Sequence, residues 1–211
     1  MRTKENLVNP ASDYYLYQPS TIASKLYLYP KEIGYFYYEP GYWRSRIQYN
    51  SFLLMYIAKG TCQVLLPDQQ LQNAVAGQVV LIDCYVPHEY GFDCDAEVSW
   101  IHFDGPLARD FYDLITASHG NIISPSNSFP ITNGLDQMLH VFRNSKPLKE
   151  GEASEMITQM LNTLLYTRAY SGNTTSHFKV VEKSRAYINE HFSEPLTLEQ
   201  LAKNANMSPF H

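Results

Sequence analysis

The stretch Val98-Ser99-Trp100-Ile101-His102-Phe103-Asp104-Gly105-Pro106 divides the chain into two regimes. Up to Phe103 the side chains alternate with the two-residue period of a strand, Trp100 and His102 on one face, Ile101 and Phe103 on the other. Large groups occupy both faces. One set is therefore expected to point inside a β-structure and the other into packing against helices. Gly105-Pro106 closes the strand, and beyond it apolar residues recur at spacings of three and four.

Upstream, the pattern is that of short strands. Lys25-Leu26-Tyr27-Leu28-Tyr29 and Ile33-Gly34-Tyr35-Phe36-Tyr37-Tyr38 read as strands, followed by the turn dipeptide Pro40-Gly41. Arg44 to Gln48 alternates and puts Arg44 and Arg46 on one face. Phe52 to Lys59 is an apolar run ended by Gly60, with Cys62 to Leu66 expected as its hairpin partner. Pro67-Asp68 turns the chain again. Val79 to Ile82 follows Gly77, and Pro87 closes it off. About six to eight strands, with turn signals roughly every 8 to 12 residues, predict an antiparallel sandwich or barrel.

Downstream, Leu107, Phe111, Leu114 and Ile115 mark a helix ending at Gly120. Ile131, Leu135, Met138, Leu139 and Phe142 mark a second, stopped by Lys146-Pro147. Met156, Ile157, Met160, Leu161, Leu164 and Leu165 form a third stripe, running to about Tyr170. The small polar stretch from Ser171 to Ser176 reads as a linker. Val180 to His191 is expected as a helix, broken by Pro195. Thr197-Leu198-Glu199-Gln200 spells a capping box, in which threonine and glutamine satisfy each other's backbone N–H groups, and it opens a helix to about Asn204. Ser208-Pro209 supplies the N-cap and first-turn proline of a further helix, begun as the chain ends, which suggests a truncated domain.

Composition narrows the function classes. The 211 residues are only 18% charged and 14% aromatic, with 17 tyrosines, which argues against disorder. The longest apolar run, Phe52 to Ala58, is far short of the roughly twenty residues that cross a bilayer. Met1 to Asn6 has no apolar segment behind its charges, so no secretory signal is expected. Cys62, Cys84 and Cys94 are odd in number and lack C-x-x-C spacing, as expected of reduced thiols in a cytoplasmic protein. A net charge of −5 offers no basic footprint for nucleic acid. No P-loop, nucleophile elbow, dinucleotide fingerprint or metalloprotease pair is present, so no enzyme activity and no cofactor are expected.

The segments Ala186 to Phe192, Pro195 to Ala202 and Asn206-Met207-Ser208-Pro209 resemble the opening of the AraC-type (arabinose-regulator) DNA-binding domain. Leu54 to Gly60, Ala76 to Ile82, Pro87-His88-Glu89-Tyr90 and Trp100 to Gly105 resemble that family's cupin-like sensor domain. The resemblance implies an α+β chain, a jelly-roll β-barrel followed by helices and an incomplete helix-turn-helix. Its parts are an amino-terminal arm over 1–20, a sensing barrel over 21–105, a helical dimerisation region over 106–170, a linker over 171–177 and the start of the DNA-binding domain over 178–211. It further implies a cytoplasmic transcription regulator, a homodimer, with a small-molecule effector, a sugar favoured. DNA is the partner of a full-length protein. The fragment itself should bind little or none, because the missing helices would carry most of the phosphate-neutralising cations.

The resemblance places Tyr90 and Trp100 where sugar-binding relatives put pocket aromatics, with one of Arg44 and Arg46 near a ligand-contacting arginine. Physically, an indole face stacks on the C–H surface of a sugar, and a guanidinium offers a fork of donors to a hydroxyl or carboxylate. His88 and His102 complete the expected ligand-binding set with Arg44, Arg46, Tyr90 and Trp100, lining the barrel by ordinary hydrogen bonds rather than holding a metal. Core packing of Trp100 and surface exposure of either arginine are the plainer alternatives. Met156, Ile157, Met160, Leu161 and Leu164 are the expected dimer interface by resemblance, or simply core. Ser208 and Pro209 would begin the first recognition helix. The competing class is a metal-dependent cupin enzyme, a sugar isomerase or oxygenase, which needs His88, Glu89, His102 and a fourth ligand to converge. The H-x-H spacing of metal-binding cupins is absent, and no metal is expected. A dimeric module that senses nothing is the third possibility.

Overall fold

The computed structural model describes residues 5–167 and 196–205, which belong to two separate units divided after Thr167. The first unit is built from β1 (Asp13–Leu16), α1 (Thr21–Leu26), β2 (Tyr29–Tyr38), β3 (Tyr42–Arg46), β4 (Phe52–Lys59), β5 (Thr61–Leu65), β6 (Gln72–Val75), β7 (Val79–Asp83), β8 (His88–Phe92), β9 (Ala96–Asp104), α2 (Ala108–His119), β10 (Ile122–Ile123), α3 (Phe129–Arg143) and α4 (Glu150–Leu165). Six strands form one sheet in the order β1-β2-β9-β4-β7-β10, and four form a second in the order β3-β8-β5-β6. Every pairing is antiparallel. The α+β class is thus as expected, with hydrogen bonding divided between two facing sheets rather than closed into one cylinder.

The period-two pattern explains why the larger sheet is buried on both sides. Leu53, Met55 and Ile57 of β4, Val80 and Ile82 of β7 and Val98 and Trp100 of β9 face the smaller sheet. Their neighbours Phe52, Leu54, Val79, Leu81, Ile101 and Phe103 face the opposite way and pack beneath α2, α3 and α4. The split predicted for β9 is therefore the split between the two cores.

The helices follow the 3.6-residue stripes. α2 ends at Gly120, whose φ of 74° is one that glycine adopts without strain. Glu150 and Glu152 lie in the first turn of α4, where carboxylates oppose the positive end of the helix dipole. Glu150 also accepts from Ser20 N at 2.7 Å, Ser20 Oγ at 2.6 Å and Tyr17 Oη at 3.0 Å, tying the amino-terminal segment to the helical layer.

Several local expectations change. Lys25 to Tyr29 is not one strand: Ser20 caps Ala23 N at 3.1 Å and opens α1, which runs to Leu26. Phe52 to Lys59 and Cys62 to Leu66 do not form a hairpin. β4 lies inside the six-stranded sheet, and β5 pairs with β6 and β8 of the other. Gly60 makes the crossing: φ is 84°, and a Cβ there would stand 2.6 Å from Asp95 O. Within the amino-terminal segment, Asp13 to Leu16 forms a strand that pairs along β2.

The apolar stripe of α4 is likewise reassigned. Ile157, Met160, Leu161 and Leu164 are at most 1% exposed in the protomer's own core, and Met156 packs half-buried against it. The stripe is wide because α4 packs against both α2 and α3 and over β2. Ile157, Met160, Leu161 and Leu164 thus face the protomer's own helices and sheet. The outward groove of α4 is polar, lined by Ser154, Glu155, Thr158, Gln159, Asn162 and Thr163.

In the second unit, α5 (Leu198–Ala205) carries the predicted capping box. Thr197 N donates to Gln200 Oε1 at 2.8 Å and Gln200 N to Thr197 Oγ1 at 3.2 Å. The expected linker, the helix from Val180 to His191, and Ser208 and Pro209 lie outside the described residues.

Candidate functional site

A cavity of about 210 Å³ opens between the sheets, lined by Glu5, Tyr14, Glu32, Phe36, Tyr38, Tyr42, Arg44, Arg46, Tyr90, Trp100 and His102. That volume is roughly seven times a water's share of liquid. Arg44, Arg46, Tyr90, Trp100 and His102, expected together from the sequence, are brought together here. Both arginines reach the cavity, because residues 44 and 46 of β3 point inward while Ser45 and Trp43 turn outward.

Trp100 is held in place by its register partner. Trp100 pairs with Gly34 on β2, and a Cβ at residue 34 would lie 2.5 Å from Trp100 Cζ2. The indole thus lies against the backbone of β2, with Phe36 edge-on at 5.1 Å and His102 edge-on at 5.7 Å. Its Nε1 is buried without a hydrogen-bond partner, an arrangement that costs free energy unless something in the cavity accepts from it.

Arg46 is the cavity's other open donor. Its guanidinium stacks on Tyr49 at 4.4 Å, Nη1 is buried without a partner, and no carboxylate pairs with it among the described residues. Arg44, by contrast, pairs with Glu5 and donates through Nε to Tyr42 Oη at 3.2 Å. Tyr42 Oη donates to the same Glu5 oxygen at 2.7 Å. Tyr49 donates to Glu32. Burial pushes the Tyr38, Tyr42 and Tyr90 hydroxyls up, so they remain protonated.

His102 is 3% exposed, and its Nδ1 lies 2.9 Å from Ser51 Oγ. Ser51 Oγ donates to Tyr49 O at 3.2 Å, which assigns the Nδ1 proton to His102 and leaves Nε2 as an acceptor. Burial, reinforced by the positive charges of Arg46, His88, Lys31 and Arg44, holds the imidazole well below the usual histidine range. The unfolded imidazole takes a proton near pH 6.5 while the folded one does not, so stability is full above that pH and is lost as pH falls towards the folded pKa. His88, also lowered chiefly by burial, acts in the same direction. The melting temperature should therefore drop between pH 7 and pH 5, and less steeply in His102→Asn, whose amide can still donate to Ser51. An unchanged slope in that variant would remove His102 as the source.

His88 is not in this cavity. It lines a neighbouring pocket of about 470 Å³ with Ile47, Pro67 and Glu89, and its Nδ1 meets Val86 O at 2.8 Å. The first residue of β8, it sits at the end of the smaller sheet, two residues from Tyr90, and Arg46 lines both pockets. Glu89 accepts from Trp43 Nε1 at 2.6 Å. Among the described residues, no three His, Cys, Asp or Glu side chains gather as a metal site.

Sequence reasoning singled out none of Glu5, Glu32, Phe36, Tyr38 and Tyr42 as site residues. Phe36 and Tyr38 were legible as one face of β2. Glu5 carried no local signal.

No curated protein sequence matches the chain. Among solved structures, the AraC-like transcriptional activator CuxR is similar over 95% of this chain and 78% of its own, at 14% identity and a TM-score of 0.49. A cupin superfamily protein from Desulfitobacterium hafniense is similar over 48% and 82%, at 16% identity and a TM-score of 0.34. A conserved protein of unknown function from Streptococcus pyogenes is similar over 43% and 70%, at 14% identity and a TM-score of 0.34. The family model of the AraC-like ligand binding domain matches residues 29–161, a span that runs from β2 into α4 and holds every cavity residue except Glu5 and Tyr14. The chain belongs to the AraC-like ligand-binding domain family.

Proposed function

We propose that this chain is the effector-sensing part of a cytoplasmic, DNA-binding transcription regulator, and that its effector is a sugar or similar small polar molecule held by Arg44, Arg46, Tyr90, Trp100 and His102. The observation that carries the reading is the pair of unpartnered buried donors, Arg46 Nη1 and Trp100 Nε1, on one cavity. His102 Nε2 and the carboxylate of Glu32 supply acceptors beside them. A wall that mixes donors, acceptors and an aromatic surface is complementary to a polyhydroxylated ring, each hydroxyl of which gives and takes a hydrogen bond.

In this reading residues 1–20 form an arm, 21–105 the sensing β-structure, 106–170 the helical region, 171–177 a linker and 178–211 the start of a helix-turn-helix. The capping box at Thr197 supports the last assignment. The regulator acts as a homodimer, through surfaces other than the core face of α4. Effector binding shifts the regulator only by its difference in affinity between two states.

A thermal-shift panel of mono- and disaccharides, each with and without EDTA, tests this. An effector at a hundred times its Kd adds about 2.7 kcal/mol, or roughly 5–10 °C for a chain of this size. A sugar-specific rise indifferent to EDTA is the expected result. A melting temperature lowered by EDTA alone would put a metal-dependent cupin in its place.

A further inference from the structure

Glu5 occupies the position of a ligand. Its carboxylate lies in the cavity, where Arg44 Nη2 and Tyr42 Oη converge on a single oxygen, Oε1. Glu5 is 37 residues from Tyr42 in sequence and 39 from Arg44, so no local geometry obliges it to be there. The segment behind it is fastened to β2 and the turn after it: Asn9 N donates to Tyr37 O at 2.8 Å, Glu39 N to Leu7 O at 2.9 Å, and Val8 bridges to Tyr38. Leu7 takes a φ of 59°, a left-handed conformation unfavourable for a leucine. The chain is bent there, between the anchor and the carboxylate.

The charges make the same point. Two guanidinium groups, Arg44 and Arg46, and two carboxylates, Glu5 and Glu32, line the cavity, and Glu32 is taken by the Tyr49 hydroxyl. With Glu5 withdrawn, the lining keeps two positive charges against one negative. A ligand with a single carboxylate restores the balance, and its hydroxyls meet Arg46 Nη1, Trp100 Nε1 and His102 Nε2. A neutral sugar leaves the Arg44 seat to Glu5.

Resting on the sensor reading above, we infer that the effector is a polyhydroxy monocarboxylate of the sugar-acid class. Its carboxylate replaces that of Glu5 on Arg44 and Tyr42, and its binding releases the amino-terminal segment at Leu7. Glu5 is then a tethered competitor. The apparent affinity is reduced by the fraction of molecules in which the seat is vacant.

Isothermal titration of the full chain with D-galacturonate, D-glucuronate, D-galactose and D-glucose tests this. At least one uronate should bind more than about tenfold tighter than its matching hexose. Glu5→Ala should tighten uronate binding by a further factor of about ten while leaving hexose binding within about threefold. Arg44→Met should abolish the preference. In the wild-type chain, the bound uronate should raise amide hydrogen exchange at residues 5–8, a readout independent of how the variants fold. Weaker binding in Glu5→Ala, or equal binding of acid and neutral sugar, would make Glu5 a ligand contact and overturn the inference. Silence towards both uronates, with a neutral sugar active in the thermal panel, overturns this inference alone. Silence throughout the panel removes the sensor reading with it.

Discussion

Leu161→Ala should lower the stability of the protomer by about 2–5 kcal/mol, a fall in melting temperature on the order of 10 °C. Leu161 is fully buried, as are Met160 and Leu164 beside it and Met138 and Leu139 of α3 in the same apolar cluster. Deleting its isopropyl group removes the transfer free energy of the buried atoms and leaves a cavity that a densely packed helical layer cannot fully close. Thr158→Ala, on the polar outward groove of the same helix, should stay within about 0.5 kcal/mol of the parent. The pair separates two meanings of the stripe. A core residue gives a loss independent of protein concentration. If Leu161 instead joined two subunits, its substitution would act through dissociation, and the melting temperature would change with dilution. Chemical denaturation of both variants at two concentrations a hundredfold apart distinguishes them.

The ambiguity about α4 shows how far the sequence can be read. A wide apolar stripe states that a helix is covered on most of its circumference, and not by what. α4 is covered by α2 and α3 as well as by the sheet, which no period reveals. Alternation in β9 was informative because both of its faces are buried for different reasons: Ile101 and Phe103 under helices, Trp100 and His102 towards the other sheet. The same property misled at Gly60. β4 and β5 are adjacent in sequence and both apolar, yet the chain changes sheets between them, so proximity predicted a pairing that the hydrogen bonds do not make.

The site divides along the same line. Arg44 and Arg46, Tyr90, and Trp100 with His102 sit at alternate positions of three strands, and inward direction follows from period two once a strand is recognised. Glu5 enters the cavity from a segment fastened to β2 residues distant in sequence, and Glu32 is one of two charged residues in a strand rich in tyrosine. His88 shows the limit of proximity along one strand. Two residues from Tyr90, it lies past the end of the cavity, where the strand leaves the inter-sheet space for the neighbouring pocket.

Gly34→Ala should destabilise the chain by about 1–3 kcal/mol, the range for overpacking a filled interior, and should abolish the effector-induced rise in melting temperature. The added Cβ would stand 2.5 Å from Trp100 Cζ2, 2.7 Å from Cε2 and 2.9 Å from Asp13 O. The indole is the more movable obstacle, since Asp13 belongs to the backbone of β1, paired along β2. Displacing it carries Nε1 away from its place in the cavity wall and disturbs its edge contacts with Phe36 and His102. The cost should depend on the ring. In a Trp100→Leu background the aromatic atoms are gone, and the same glycine substitution should cost less by about 0.5–3 kcal/mol, the usual coupling of residues in contact. The remainder measures the clash with Asp13 O. Denaturant melts of the four proteins in the cycle give the coupling directly. Additive costs would mean that Gly34 serves the backbone of β2 alone, and that Trp100 is oriented by something other than the missing side chain opposite it.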